Sequence, residues 1–158
     1  MATEFVRGAE KLGRRLRSIQ ASIGLAPLVD EIGVALLRRT LDRFDNELDP
    51  DGRRWAELKE STIRRRNSAG YGGKTILKRN ETLRNSIKII RGGTGTTFFN
   101  TGAGLRIGVA EPDVALYGAI QNKGNGRIVA RRFLGIGALD IKSVDSLMRR
   151  KAKQLEQA

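Results

Sequence analysis

The chain has 158 residues, 39% of them apolar and 5% aromatic, which suits one domain with a modest core and many loops among its 19 glycines. It contains no cysteine and no histidine, which removes disulfides, thiolate chemistry, the usual zinc sites and histidine general bases together. Thirty Lys and Arg stand against 17 Asp and Glu, a net charge of +13 that points to polyanions first, acidic protein surfaces second and mere solubility third.

Residues 2–22 read as an amphipathic helix. Phe5, Ala9, Leu12, Leu16 and Ile19 recur at three- and four-residue steps, with Arg7, Lys11, Arg14, Arg15 and Arg17 on the other face. Gly24 and Pro27 interrupt, and Pro27 fits the first turn of a second helix. That helix has the clearest stripe in the chain: Leu28, Ile32, Leu36 or Leu37, Leu41, Phe44 and Leu48. It must stop before Pro50, because the residue preceding a proline disfavours helical backbone. Asp49-Pro50-Asp51-Gly52 is then a turn, with Pro50 presetting φ and Gly52 free to take positive φ.

A third helix is predicted from Ala56 or Ser61 to about Arg66, a loop over 67–75, and a short helix around Asn80–Ser86 leading into a strand at 86–90. Residues 91–97 read as a hairpin-type loop, with strands at 97–100 and 105–110. A helix follows over 113–122, then a loop at 123–127 and an extended segment through Ile136. A last helix starts at Asp140 or Ser143 and carries Ile141, Val144, Leu147, Met148 and Leu155. The order implies an α+β fold: a small antiparallel sheet packed with several helices, long ones at the N-terminal side and one at the C-terminal end. Residues 1–24 form a basic helical arm in this reading and 25–158 the domain. No run approaches the ~20 apolar residues of a membrane span, and the start lacks the apolar stretch of a signal peptide, so a soluble protein made in the cytosol is expected.

Three motifs invite chemistry. Asp49 and Asp51 open like a calcium loop and Glu60 stands at the twelfth position, but Arg53 occupies a ligand position, so turn formation is the better account. Trp55 and Leu58 then anchor the next element on the core. Ser68–Thr75 ends like a phosphate-binding loop in Gly73-Lys74-Thr75, yet Ser68 takes the place of the required glycine and no buried strand precedes it. Arg64, Arg65, Arg66 and Lys74, continued by Lys78, Arg79 and Arg84, form a basic cluster able to meet phosphates without reading sequence, or an acidic partner, or only water. No aromatic residues interleave with it, which disfavours a single-strand stacking platform. No convergent catalytic, metal or cofactor set is evident, and none is expected.

Four stretches carry a resemblance: 28–44, 49–66, 76–87 and 114–135. Their motif residues are Arg43 and Phe44; Asp49, Pro50, Gly52, Trp55, Leu58 and Thr62; Ile76, Leu77, Leu83 and Ser86; Tyr117, Ile120 and Gly124; and Ala130, Arg131, Phe133, Leu134 and Gly135. Together they resemble the phage virion-morphogenesis family, the tail-completion proteins of Mu-like and related contractile-tailed phages. The chain departs from that pattern in Gln121 for histidine, Arg132 for proline and Gly118 for alanine. The resemblance covers roughly residues 28–157 and implies a non-enzymatic virion protein of the neck or upper tail, assembled in the host cytoplasm, that completes the tail and joins it to the head. It implies a ring, expected as a hexamer, around the DNA channel, with the tail terminator and connector as neighbours and genomic DNA close by. Tyr117, Arg131, Phe133 and Leu134 are assigned to a protein interface, with Phe133 and Leu134 expected to fill a pocket in the same subunit or its neighbour. No membrane and no small-molecule substrate is implied. The alternative, drawn from charge alone, is a nucleic-acid-binding protein without sequence specificity.

Overall fold

The computed structural model describes residues 14, 26–73, 75–91, 97–100 and 105–157. The helical arm over 2–22, apart from Arg14, lies outside them, as does Lys74. Helix α1 spans Ala26–Asn46, with Pro27 in its first turn where the missing N–H costs nothing. Leu28, Ile32, Leu36, Thr40, Arg43 and Phe44 are buried along one stripe, and Leu37 and Leu41 pack at its margin. Thr40 is fully buried and its hydroxyl donates to the Leu36 carbonyl at 2.9 Å, so it needs no distant partner.

The helix ends two residues before the expected Leu48. Glu47 takes positive φ (56°), and the Leu48 N–H closes back on the Arg43 carbonyl at 3.1 Å, the bond of a left-handed C-terminal cap. Leu48 then pairs with Arg54 in a single antiparallel bridge. Helix α2 is Glu60–Ser68 and α3 is the single turn Thr82–Asn85.

Strands β1 (Ile87–Arg91), β2 (Thr97–Asn100) and β3 (Leu105–Val109) form an antiparallel sheet in the order β1-β3-β2. The hairpin expected around 91–97 is therefore corrected: β1 and β2 are not neighbours, and both pair with β3. The central place falls to the strand with most to bury. Leu105, Ile107 and Val109 share one face of β3, and Ile87 and Ile89 stand opposite Val109 and Ile107 on that face. Helix α4 (Pro112–Lys123) and α1 both lie over this face. Both approach through a glycine. A Cβ at Gly33 would stand 2.8 Å from Leu105 Cδ1, and one at Gly118 would stand 2.9 Å from Val109 Cγ2. Glycine at 118, one of the departures noted above, thus lets α4 sit close on β3.

The expected extended segment after the 123–127 loop is present without regular pairing, and α5 begins at Ala138, slightly earlier than predicted, and runs to Glu156 along α1. Among the described residues no helix is long and apolar enough to cross a membrane.

Candidate functional site, a basic cleft

The site rests on the connector after α1. Asp49 Oδ1 accepts from the N–H groups of Asp51 and Arg53, both at 2.8 Å, while Gly52 supplies φ of 83°. The Asp51 carboxylate instead meets Arg132 Nη1 at 3.1 Å. The two acids of the apparent calcium loop are thus engaged in shaping and pinning a turn. Pro50 is buried, and its carbonyl oxygen comes within 1.8 Å of where a Cβ at Gly137 would stand, so the turn sits directly on the start of α5.

Trp55 is buried among the aromatics that the turn brings together. Its ring meets Phe44 edge-on at 5.5 Å, and Phe44 meets Phe133 at 5.2 Å. The Trp55 Nε1–H donates to the Arg132 carbonyl at 2.8 Å, and Leu58 packs half-buried on the same core. Asn122, at the end of α4, accepts from the N–H groups of Phe133 and Leu134, both at 2.9 Å. Of the two places expected for the pocket that Phe133 and Leu134 fill, this is the one in the same subunit, and the interface assignment of these two residues and Arg131 gives way to it. Phe133 is 0% exposed and Leu134 2%, so their apolar area is already removed from water by their own chain. Arg131 is buried too. Its Nε and Nη2 donate to the carbonyls of Ala56 and Glu57 at 2.8 Å, clamping that segment. Burial pulls the Arg131 guanidinium below the usual arginine range, Tyr117 opposes that, and Arg66 adds to it.

Beneath lies an ion network that the sequence did not reveal. Arg43 donates through Nη1 to the carbonyls of Phe133 (2.8 Å) and Gly135 (3.0 Å), and through Nη2 to Asp140. Asp140, fully buried, also takes Arg39 Nε at 2.6 Å and the Gly137 N–H at 2.8 Å, which caps α5. Burial lowers the Arg43 pKa, and the Asp140 carboxylate opposes the shift.

The open feature is a cleft of about 760 Å³ between α2, the 69–80 segment, α4 and the 127–131 strip. Among the described residues six cations line it: Lys59, Arg65, Arg66, Arg79, Arg127 and the buried Arg131. Glu57 and Asp113 are the two acids among the lining residues. The half-buried Leu58 and Val114 give it apolar surface, with the buried Leu77 and Leu83 behind them. Tyr117 and Val129 line it while remaining exposed, at 47% and 53%. The Arg79 guanidinium lies over the Tyr71 ring at 5.2 Å. The rim is firmly held: Asn125 Oδ1 accepts from Arg127 and Ile128 N–H, and the Gln121 carbonyl accepts from Arg131 N–H at 2.7 Å.

The structure divides the expected basic cluster. Arg65 and Arg66 reach the cleft with Tyr117, whereas Arg64 points away and pairs with Glu60 one helical turn earlier at 2.8 Å. Lys78 and Arg84 are turned to Asp45, at 2.8 and 3.1 Å. Among the described residues no group of three or more His, Cys, Asp or Glu could hold a metal ion.

With this geometry in place, the relationships of the chain become informative. The model of the phage virion morphogenesis family matches residues 8–153. The chain belongs to that family. It is also 29% identical over 124 residues to the Mu-like prophage FluMu G protein 1 of Haemophilus influenzae, covering 77% of this chain and 76% of that protein. No solved structure matches it. Family membership implies a virion-associated protein with a structural or morphogenetic role. The family match starts at residue 8, so most of the segment set apart as an arm falls within the family's span. The residues that carry the resemblance are largely buried in this chain: Arg43, Phe44, Trp55, Leu83, Phe133 and Leu134 lie in its core.

Proposed function

We propose that this family member is a structural component of the phage neck or upper tail, which completes the tail and joins it to the head as a closed ring around the DNA channel. It acts through contacts rather than catalysis. The observation that carries this is the match over residues 8–153 to a virion morphogenesis family, together with the likeness to a protein of a Mu-like prophage. The geometry is compatible with it: the signature residues are spent on a self-contained core, and the cleft that remains open is strongly basic and partly apolar, as a docking site would be. Head-to-tail contacts between copies close a ring, the natural symmetry around an axial channel.

The experiment is deletion of the gene in the phage, followed by electron microscopy of the lysate. Separate full heads and finished-length tails are expected, with joining restored by the protein supplied in trans. Normal joined particles without the protein would overturn the proposal. The charge-based alternative of a free nucleic-acid binder predicts instead a protein absent from purified particles.

A further inference from the structure

We propose that the basic cleft between α2 and α4 is the seat of an acidic peptide segment of another virion protein, bearing one bulky apolar side chain that inserts against the half-buried Leu58 and Val114. The proposal rests on the reading of the chain as an assembly component and names the chemistry of its partner.

Charge complementarity selects the occupant. Among the described residues the cleft presents Lys59, Arg65, Arg66, Arg79 and Arg127 outside the core, against the acids Glu57 and Asp113. The N-terminal segment is excluded by its own sign, since Arg7, Lys11, Arg14, Arg15 and Arg17 would face like charge. A second copy fits poorly too. A net charge of +13 sets like charge against the cleft in a second copy. A nucleic-acid backbone would satisfy the cations but leave the apolar floor without a counterpart, because phosphates read charge alone. An acidic segment with an apolar anchor matches both features, and the exposed Tyr117 and Val129 at the mouth extend the apolar contact. Arg65, Arg79 and Arg127 are the exposed cations placed to receive its carboxylates.

The probe is a fluorescent nonapeptide of eight glutamates around a central tryptophan, with the same peptide carrying central serine as comparison, read by anisotropy at physiological salt. The full chain should bind the tryptophan peptide at least tenfold more tightly than the serine one. Arg79→Glu with Arg127→Glu should reduce that binding more than tenfold. Arg149→Glu with Arg150→Glu, the same charge change on exposed α5 positions, should alter it less than twofold. Tyr117→Ser, which changes no charge, should weaken the tryptophan peptide severalfold and leave the serine peptide unaffected. Equal binding of the two peptides, or equal loss in the α5 control, would reduce the cleft to diffuse charge and overturn the proposal. It would equally fall if a DNA duplex, rather than the peptide, bound and lost affinity in the cleft variant, or if the variant abolished only self-association. The gene-deletion phenotype described above is independent of these titrations, so loss of the neck reading and loss of the cleft reading are separable.

Discussion

Arg43 and Arg65 lie on consecutive helices of one basic chain, yet they live in opposite environments. Arg43 is buried beneath the 131–137 segment, with two carbonyls and a carboxylate as its partners. Arg65 is exposed at a cleft where cations outnumber acids. A cation taken out of water must have its donors filled within the fold, and its loss is felt as instability. A cation left at a surface contributes little to stability and remains available to an outside partner. The contrast separates residues that make the fold from residues that make contacts, although both are arginines.

The sharpest way to break this distinction is Asp140→Ala. It leaves Arg43 buried without its charge partner, so a loss of about 3–5 kcal/mol is expected in denaturant unfolding. A loss below about 1 kcal/mol would mean that Arg43 reaches water after all.

Trp55→Ala comes next. Removing an indole packed on Phe44 should also cost about 3–5 kcal/mol, with a smaller loss for Trp55→Phe, which keeps a ring but forfeits the bond to the Arg132 carbonyl. Near-unchanged melting of Trp55→Ala would assign the residue to an interface instead.

A smaller effect is expected at the α4–β3 contact. Gly118→Ala gains up to about 1 kcal/mol of helix propensity but drives a methyl toward Val109 and Leu83, for which overpacking costs about 1–3 kcal/mol. A net destabilisation should appear in the melting temperature and be relieved by adding Val109→Ala, a coupling measurable in a double-mutant cycle. A stabilised single variant would show that the sheet yields.

The cleft should behave otherwise. Arg79→Glu with Arg127→Glu is expected to lower unfolding free energy by no more than about 1 kcal/mol, chiefly through the lost contact of Arg79 with the Tyr71 ring. A large loss would collapse the comparison by making these cations part of the core's support.

The smallest effect concerns Asp45. Hydrogen bonds from Lys78 and Arg84 hold its carboxyl below the usual aspartate value of 3.8, with partial desolvation opposing them. The folded chain therefore retains this charge at lower pH than the unfolded chain. The stabilisation is complete above the ordinary aspartate pKa and drains away as pH falls through the lowered one. Asp45→Asn should melt slightly below the parent at neutral pH, the gap closing under strong acid. A pH-independent gap would assign the effect to packing.

Much of the fold was legible because its cause is local. The stripe from Leu28 to Phe44, the Asp49–Gly52 turn and the short apolar strands announce themselves through periodicity and turn chemistry. The end of α1 was misread at Leu48 because its apolar character continues the stripe, whereas the chain turns at Glu47 through a left-handed conformation that glutamate rarely adopts. Strand order was not legible, since adjacency in the chain favours a hairpin while burial places β3 in the centre. Phe133 and Leu134 are legible as pocket-filling residues, but whether the pocket lies in the same subunit or its neighbour is not. Only the three-dimensional placement of Phe44 and Asn122 shows that the chain consumes them itself. The cleft draws its cations from segments as far apart as Lys59 and Arg131, and no periodicity links such positions.

The bond between Arg43 and Asp140 spans 97 positions, and this bears on how the protein comes into being. During synthesis α1 emerges long before the carboxylate that will neutralise its guanidinium, and the apolar cluster around Phe44 waits equally long for Phe133. Until residue 140 has been made, the guanidinium keeps water or a transient acceptor, because sealing it without a counter-charge is too costly. Long-range closure of this kind is slow and leaves apolar surface open meanwhile. A chain that stops short of α5 therefore never finishes its core, and a faulty subunit is set apart from sound ones before either has met another part of the particle.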